Sequence, residues 1–217
     1  AASDVYKRQT YNDPSVRTRV GIDVSQYQGD VDWEAVARTE VDFVIARVGG
    51  RGYTAGAIYE DTKFDEYADG ASRAGLQVGA YFFSQAISVE EAEEEAYFVL
   101  DKLRGHNITG PVVFDWEVIG KSEARTYGIE TGVLCAAANA FCEIIEDAGY
   151  DAMIYITDYA GYVKYDLSKV MDYPLWYARY DVSAPAFYYD FAMWQYSSKG
   201  SVDGIKGNVD MDIWFIK

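Results

Sequence analysis

Two carboxylic acids one residue apart close a short apolar run, Val112-Val113-Phe114-Asp115-Trp116-Glu117. Side chains of an extended strand alternate between faces, so Asp115 and Glu117 point the same way with Cα atoms about 6.5 to 7 Å apart. An earlier run, Val20-Gly21-Ile22-Asp23-Val24-Ser25-Gln26, also turns polar at an acid. Near the end of the chain, Asn208-Val209-Asp210-Met211-Asp212 repeats the device, with Asp212 and Asp203 left open as alternatives to Asp210. Like charges crowded in a partly desolvated cleft cannot all ionise at their ordinary pKa, so one carboxyl should hold its proton near neutrality. Glycosidic cleavage needs such a pairing. A protonated acid donates to the leaving oxygen, while an ionised partner stabilises the oxocarbenium-like transition state, directly or through a substrate group. Divalent metal binding by the same acids is the rival chemistry, and solvated strand ends are the plainest reading. With 35 acids in 217 residues, a D-x-E triplet alone decides nothing.

The scarce residues narrow the field further. A single histidine, His106, leaves no HExxH helix and little room for a Ser-His-Asp or Cys-His arrangement, so metallopeptidase and zinc amidase readings fall away. His106 reads as a surface residue. Cys135 and Cys142 lie in an Ala-rich helical run, where seven steps of rise separate them by roughly 10 Å. Disulfide Cα atoms seldom exceed about 7 Å, so both read as free, buried thiols. A net charge of −16 repels polyphosphate, which excludes nucleic acid as a partner. No stretch of 18 apolar residues marks a membrane span. Aromatics reach 16%, more than the core needs, so some should line a cleft where flat rings suit sugar faces.

The elements that must position the acids follow from periodicity. Residues 1–18 show none and are set apart as a flexible leader or an assembly artefact, since Asp4-Val5-Tyr6-Lys7-Arg8-Gln9 resembles a translated sequencing-adaptor end. Residues 19–217 read as one domain. Strands are expected at 20–24, 43–48, 77–83, 111–115, 152–156, 175–180, 191–196 and 209–215, with helices at 33–39, 64–74, 89–104 and 127–148. Alternation of strands and helices argues for a buried parallel sheet, and about eight strands in one domain for a closed barrel. The connections 181–190 and 197–208 are too short and Gly/Ser-rich for full helices. The expected fold class is therefore α/β: an irregular, TIM-like β/α barrel with about eight strands and roughly five helices. In such a barrel the reacting groups sit at the C-terminal strand ends, where Asp23 and Asp115 fall. The acid run Glu90, Glu91 and Glu93 to Glu95 opens a helix, where the macrodipole favours negative charge, and reads as a solvated face. Trp33 and Trp214 read as structural.

At this point the sequence resembles the lysozymes of glycoside hydrolase family 25. Gly21-Ile22-Asp23-Val24-Ser25-Gln26-Tyr27-Gln28-Gly29 is similar to that family's opening strand and turn, and Trp33 falls where its first helix begins. Gly79-Ala80-Tyr81-Phe82-Phe83, Phe114-Asp115-Trp116-Glu117, Leu175-Trp176-Tyr177-Ala178, Trp194-Gln195-Tyr196-Ser197-Ser198 and Gly207-Asn208-Val209-Asp210 follow in the family's order. The resemblance implies cleavage of the β-1,4 bond between N-acetylmuramic acid and N-acetylglucosamine in peptidoglycan, with retention and without metal or cofactor. Glu117 would be the general acid/base and Asp115 would assist the 2-acetamido group or the nucleophilic atom. Asp23 and Asp210 would complete the acidic floor. Tyr81, Trp176, Tyr177 and Gln195 would line the sugar sites.

Arg47 is carried as a further substrate contact. It opens Arg47-Val48-Gly49-Gly50-Arg51-Gly52, where many members have a Lys and an Ala-Thr-Glu-Gly stretch. Asp212 replaces a frequent Asn. A monomer acting outside the cell or at the cell wall is implied, with glycan strands as partner. A chitinase strand would need an acid at Val113, and a non-catalytic sugar-binding barrel would need a broken acid pair.

Overall fold

The computed structural model describes residues 16–216. Its strands and helices follow in the order β1 (Arg17–Val24), α1 (Trp33–Val36), β2 (Val41–Arg51), β3 (Ile58–Glu60), α2 (Phe64–Arg73), β4 (Gln77–Ser84), α3 (Val89–Leu103), β5 (Val112–Trp116), α4 (Thr131–Asp147), β6 (Ala152–Thr157), β7 (Leu175–Ala178), β8 (Met193–Gly200) and β9 (Val209–Ile216). Strands β1, β2 and β4 to β8 run parallel in sequence, and β9 closes the ring antiparallel between β8 and β1. The result is the expected eight-stranded barrel, with β3 added outside it as an antiparallel partner of β2. One turn of π-helix, Ala160–Lys164, takes the place of a full helix between β6 and β7.

Parallel strands with helices outside are buried on both faces, which is why their sequences are near-continuous apolar runs. Two packed layers result. Inside the barrel lie Phe43, Ile45, Val113, Met153, Tyr155, Trp176 and Met193. Between strands and helices lie Val44, Phe82, Phe114, Phe141, Ile154 and Tyr177 among others. Adjacent residues on one strand thus enter different layers. Gly21 makes the interior plug possible, because a Cβ there would stand 2.2 Å from the Phe43 ring. Helix starts carry local signals: Asp32 accepts from Ala35 N–H at 3.0 Å and Ser88 from Glu91 N–H at 3.3 Å.

Several boundaries differ from the sequence reading, among them β2 at 41–51 rather than 43–48, α1 at 33–36 rather than 33–39 and β8 at 193–200 rather than 191–196. The expected leader runs to residue 18, but Arg17 and Thr18 already pair with Ile216 and Phe215 of β9. Their exposed polar side chains carry no apolar periodicity, and residues 1–15 of that leader lie outside the described residues. Helix α4 starts at Thr131 rather than 127, and the short β3 went unforeseen. The acid run is not a solvated face throughout. Glu95 is fully buried on Arg51 at 2.7 Å, Glu94 meets the same guanidinium at 2.6 Å, and Glu91 pairs with Arg125. Cys135 and Cys142 are free and buried, as expected. His106 is half-buried, bridging Asp65 and Asp69 of α2 at 3.1 and 2.7 Å.

Candidate active site

Alternation selects which residues line the mouth of the barrel. From the parallel strands come Asp23, Arg47, Tyr81, Asp115, Tyr155, Ala178 and Gln195, with Glu117 one residue past the end of β5. Because β9 runs the other way, its beginning reaches the same rim. Asp210 stands opposite Asp23 across β1, and Asp212 lies one step deeper, opposite Gly21 and Gln195. Three strands, β1, β5 and β9, therefore deliver five carboxyl groups to one place. Asp203 sits exposed in the loop before β9 and does not join them.

Burial governs their electrostatics. Asp23, Asp115 and Asp212 are each pushed well above the ordinary carboxylate range, first by loss of water. Asp23 is raised further by Asp212 and Asp210, and Asp115 by Glu117, while the positive charge of Arg47 works against the rise at Asp115. Glu117 is half-buried and raised by burial and by Asp210. Burial lifts Asp210 to about 6. Such a cluster can hold protons at neutrality and so supply both a donor and a base.

Hydrogen bonds fix the orientation of the floor. Gln195 Nε2 donates to Asp23 Oδ2 at 2.6 Å, and Gln195 Oε1 accepts from the hydroxyls of Tyr155 at 2.9 Å and Tyr180 at 2.6 Å. Two hydroxyl donors on Oε1 leave the amide only one useful orientation. Trp176 Nε1 donates to Asp212 Oδ1 at 2.8 Å. Arg47 Nε donates to Asp61 Oδ2 at 2.7 Å, and its guanidinium lies 5.1 Å from the centre of the Tyr27 ring. Asp115 Oδ1 is buried without a hydrogen-bond partner among the described residues.

The nine residues singled out from sequence fall into different places in the fold. Asp23, Asp115, Glu117, Asp210, Arg47, Tyr81 and Gln195 meet at the mouth, although Gln195, only 3% exposed, serves Asp23 rather than an open sugar face. Trp176 is 2% exposed beneath them, edge-on to Tyr81 and Tyr155. Tyr177 does not belong to the site. As the neighbour of inward-facing Trp176 it must face outward, where it stacks on Phe187 at 4.4 Å and its hydroxyl donates to Asp158. Sequence reasoning missed Tyr155, Tyr180 and Asp61. Alternation from Met153 would have found Tyr155, which is paired with Asp115 across β5 and β6. Tyr27 stands 80% exposed at the rim, the sort of open ring the aromatic excess suggested.

Comparison with known proteins adds an independent line. The model of the family "Glycosyl hydrolases family 25" matches residues 22–205. The autolytic lysozyme of Clostridium acetobutylicum is 32% identical over 193 residues, covering 88% of this chain and 54% of that protein. Lysozyme M1 of Streptomyces globisporus is 30% identical over 201 residues, covering 88% of this chain and 65% of its own. The chain thus spans between about half and two thirds of these relatives. Among solved structures, the modular autolysin LytC of Streptococcus pneumoniae in complex with a synthetic peptidoglycan ligand superposes with a TM-score of 0.78 at 26% identity, covering 91% of this chain and 46% of LytC.

Proposed function

This chain belongs to glycosyl hydrolase family 25, and from that premise we propose that it is a muramidase, hydrolysing the β-1,4 bond between N-acetylmuramic acid and N-acetylglucosamine in peptidoglycan with retention. The observation that carries the reading is the convergence of Asp115 and Glu117 with Asp23 and Asp210 on one rim, each acid raised by burial. Glu117 is the general acid: raised by burial and by the nearby Asp210, it keeps a proton for the leaving glycosidic oxygen. After the aglycone departs, the same carboxylate takes a proton from the incoming water. Asp115, 5% exposed at the mouth, accepts the N–H of the substrate's 2-acetamido group, orienting the acetamido oxygen toward the anomeric carbon. The positive charge of Arg47 favours the ionised form of Asp115, against burial and Glu117, which hold the group well above the ordinary carboxylate range. Gln195, locked by Tyr155 and Tyr180, fixes Asp23 in the floor, and Tyr81 and Tyr27 offer ring surface to the sugars. Action at the cell wall by a monomer completes the reading.

Digestion of purified peptidoglycan, with and without a chelator, tests it. New muramic reducing ends should appear at equal rates in both. New glucosamine reducing ends, or free amines, would sink the assignment. Glu117→Gln should lower kcat by about a thousandfold with the fold intact, as loss of a general acid does.

A further inference from the structure

Glu117 is the first residue beyond the last paired residue of β5, where its ladder with β4 ends. Gln85, the first residue beyond β4 and wholly buried, holds the backbone oxygen of Glu117. Its Nε2 donates to the backbone oxygen of Glu117 at 3.0 Å and to that of Ser84 at 2.8 Å. Its Oε1 accepts from Thr126 Oγ1 at 2.8 Å. Two carbonyls at the nitrogen and a hydroxyl at the oxygen allow one amide orientation, because a reversed amide would set its oxygen against both carbonyls.

The return end of the same loop is anchored to match. Arg125 Nη1 donates to the backbone oxygen of Gln85 at 3.2 Å, and its guanidinium spans the Glu91 carboxylate at 2.8 and 2.6 Å. The Arg125 backbone N–H donates to the Tyr53 carbonyl at 2.8 Å. The segment that leaves β5 at Glu117 and comes back at Thr126 is thereby clamped at both ends on one side chain. From this geometry we infer that Gln85 is a positioning residue for the general acid, setting the height of Glu117 above the cleft without touching substrate. The inference rests on the reading of Glu117 given above.

The test uses Gln85→Met, which keeps the volume and removes both hydrogen-bonding ends, alongside Gln85→Glu, with thermal melts to confirm folding. Gln85→Met should lower kcat by about 10- to 100-fold with KM within about twofold, the cost of a misplaced reacting group. In Gln85→Glu the introduced carboxyl offers a donor only when protonated, and burial raises its pKa, so its deficit should shrink as pH falls. A carbon-13 titration of the Glu117 carboxyl adds a readout independent of turnover. Freed from its clamp the group gains water, and its midpoint should fall toward the ordinary glutamate value. A folded Gln85→Met protein with wild-type kcat, a loss confined to KM, or an unchanged Glu117 midpoint overturns the inference. A wild-type protein that releases no muramic ends overturns the muramidase reading alone, and the titration then decides the clamp.

Discussion

Trp176 and Tyr177 are neighbours in sequence with opposite fates, and one substitution at each separates them. Tyr177→Phe loses only the bond to Asp158 on the outer layer and should leave turnover within about twofold. Trp176→Phe strips the donor from Asp212, which is fully buried, at a cost of about 1–3 kcal/mol. It should also lower kcat, because Asp212 raises Asp23 next to it. Steady-state kinetics and thermal melts on the two variants check both statements. The contrast also marks what was legible at this scale. The acids were, since an apolar run that turns polar at Asp23 or Asp115 announces a strand end. Their keepers were not: Gln195 reaches Asp23 across 172 residues of chain, and Asp61 meets Arg47 from a segment with no periodic signal. Nothing local in a sequence encodes such pairs.

Among the elements, the first two turns of α3 work hardest. Arg51, 4% exposed at the end of β2, meets Glu95 at 2.7 Å and Glu94 at 2.6 Å and donates to the Gly56 carbonyl at 2.7 Å. On the far side of Gly56, whose φ of +75° suits glycine, the Arg125 guanidinium lies 2.6 Å from where a Cβ would stand. Two loops flanking the mouth are thus tied to one helix end. Arg51→Met should destabilise the fold by about 3–5 kcal/mol, because Glu95 is left buried without its cation. Burial already lifts Glu95 to about 7, so at acid pH a proton can neutralise it and the deficit should be smaller at pH 5 than at pH 8. Denaturant titrations at the two pH values measure this. The strands were readable because residues buried on both faces leave unbroken apolar runs. The ion-pair cluster was hidden, since Glu91 and Glu95 look the same on paper as the exposed Glu90 and Glu93.

For the molecule as a whole, the raised carboxyls set the pH dependence of stability. Asp23, Asp115, Asp212 and Glu117 are raised, with Asp210 at about 6 and Glu95 at about 7. A carboxyl whose folded pKa exceeds its unfolded value binds its proton more tightly in the native state. Its contribution is complete below the unfolded pKa of about 4 and is lost as pH rises through the folded value. Tm should therefore be higher at pH 5 than at pH 7.5, by several degrees. Repulsion within a surface of net charge −16 acts in the same direction, but salt screens exposed charges over about 10 Å at 0.1 M and spares buried ones. A Tm difference that vanishes in 0.5 M salt would assign the effect to the surface and remove the buried acids from the account. The closure of the barrel by β9 has a bearing on time as well as on shape. Asp23 emerges from the ribosome early, whereas the strand that pairs with it and brings Asp210 and Asp212 is the last in chain order. Until that strand docks, the ring is open and the early acid stays in water at an unremarkable pKa. A nascent chain is accordingly unarmed, and the cleft gains its full set of acids in one step, when synthesis of the barrel is complete.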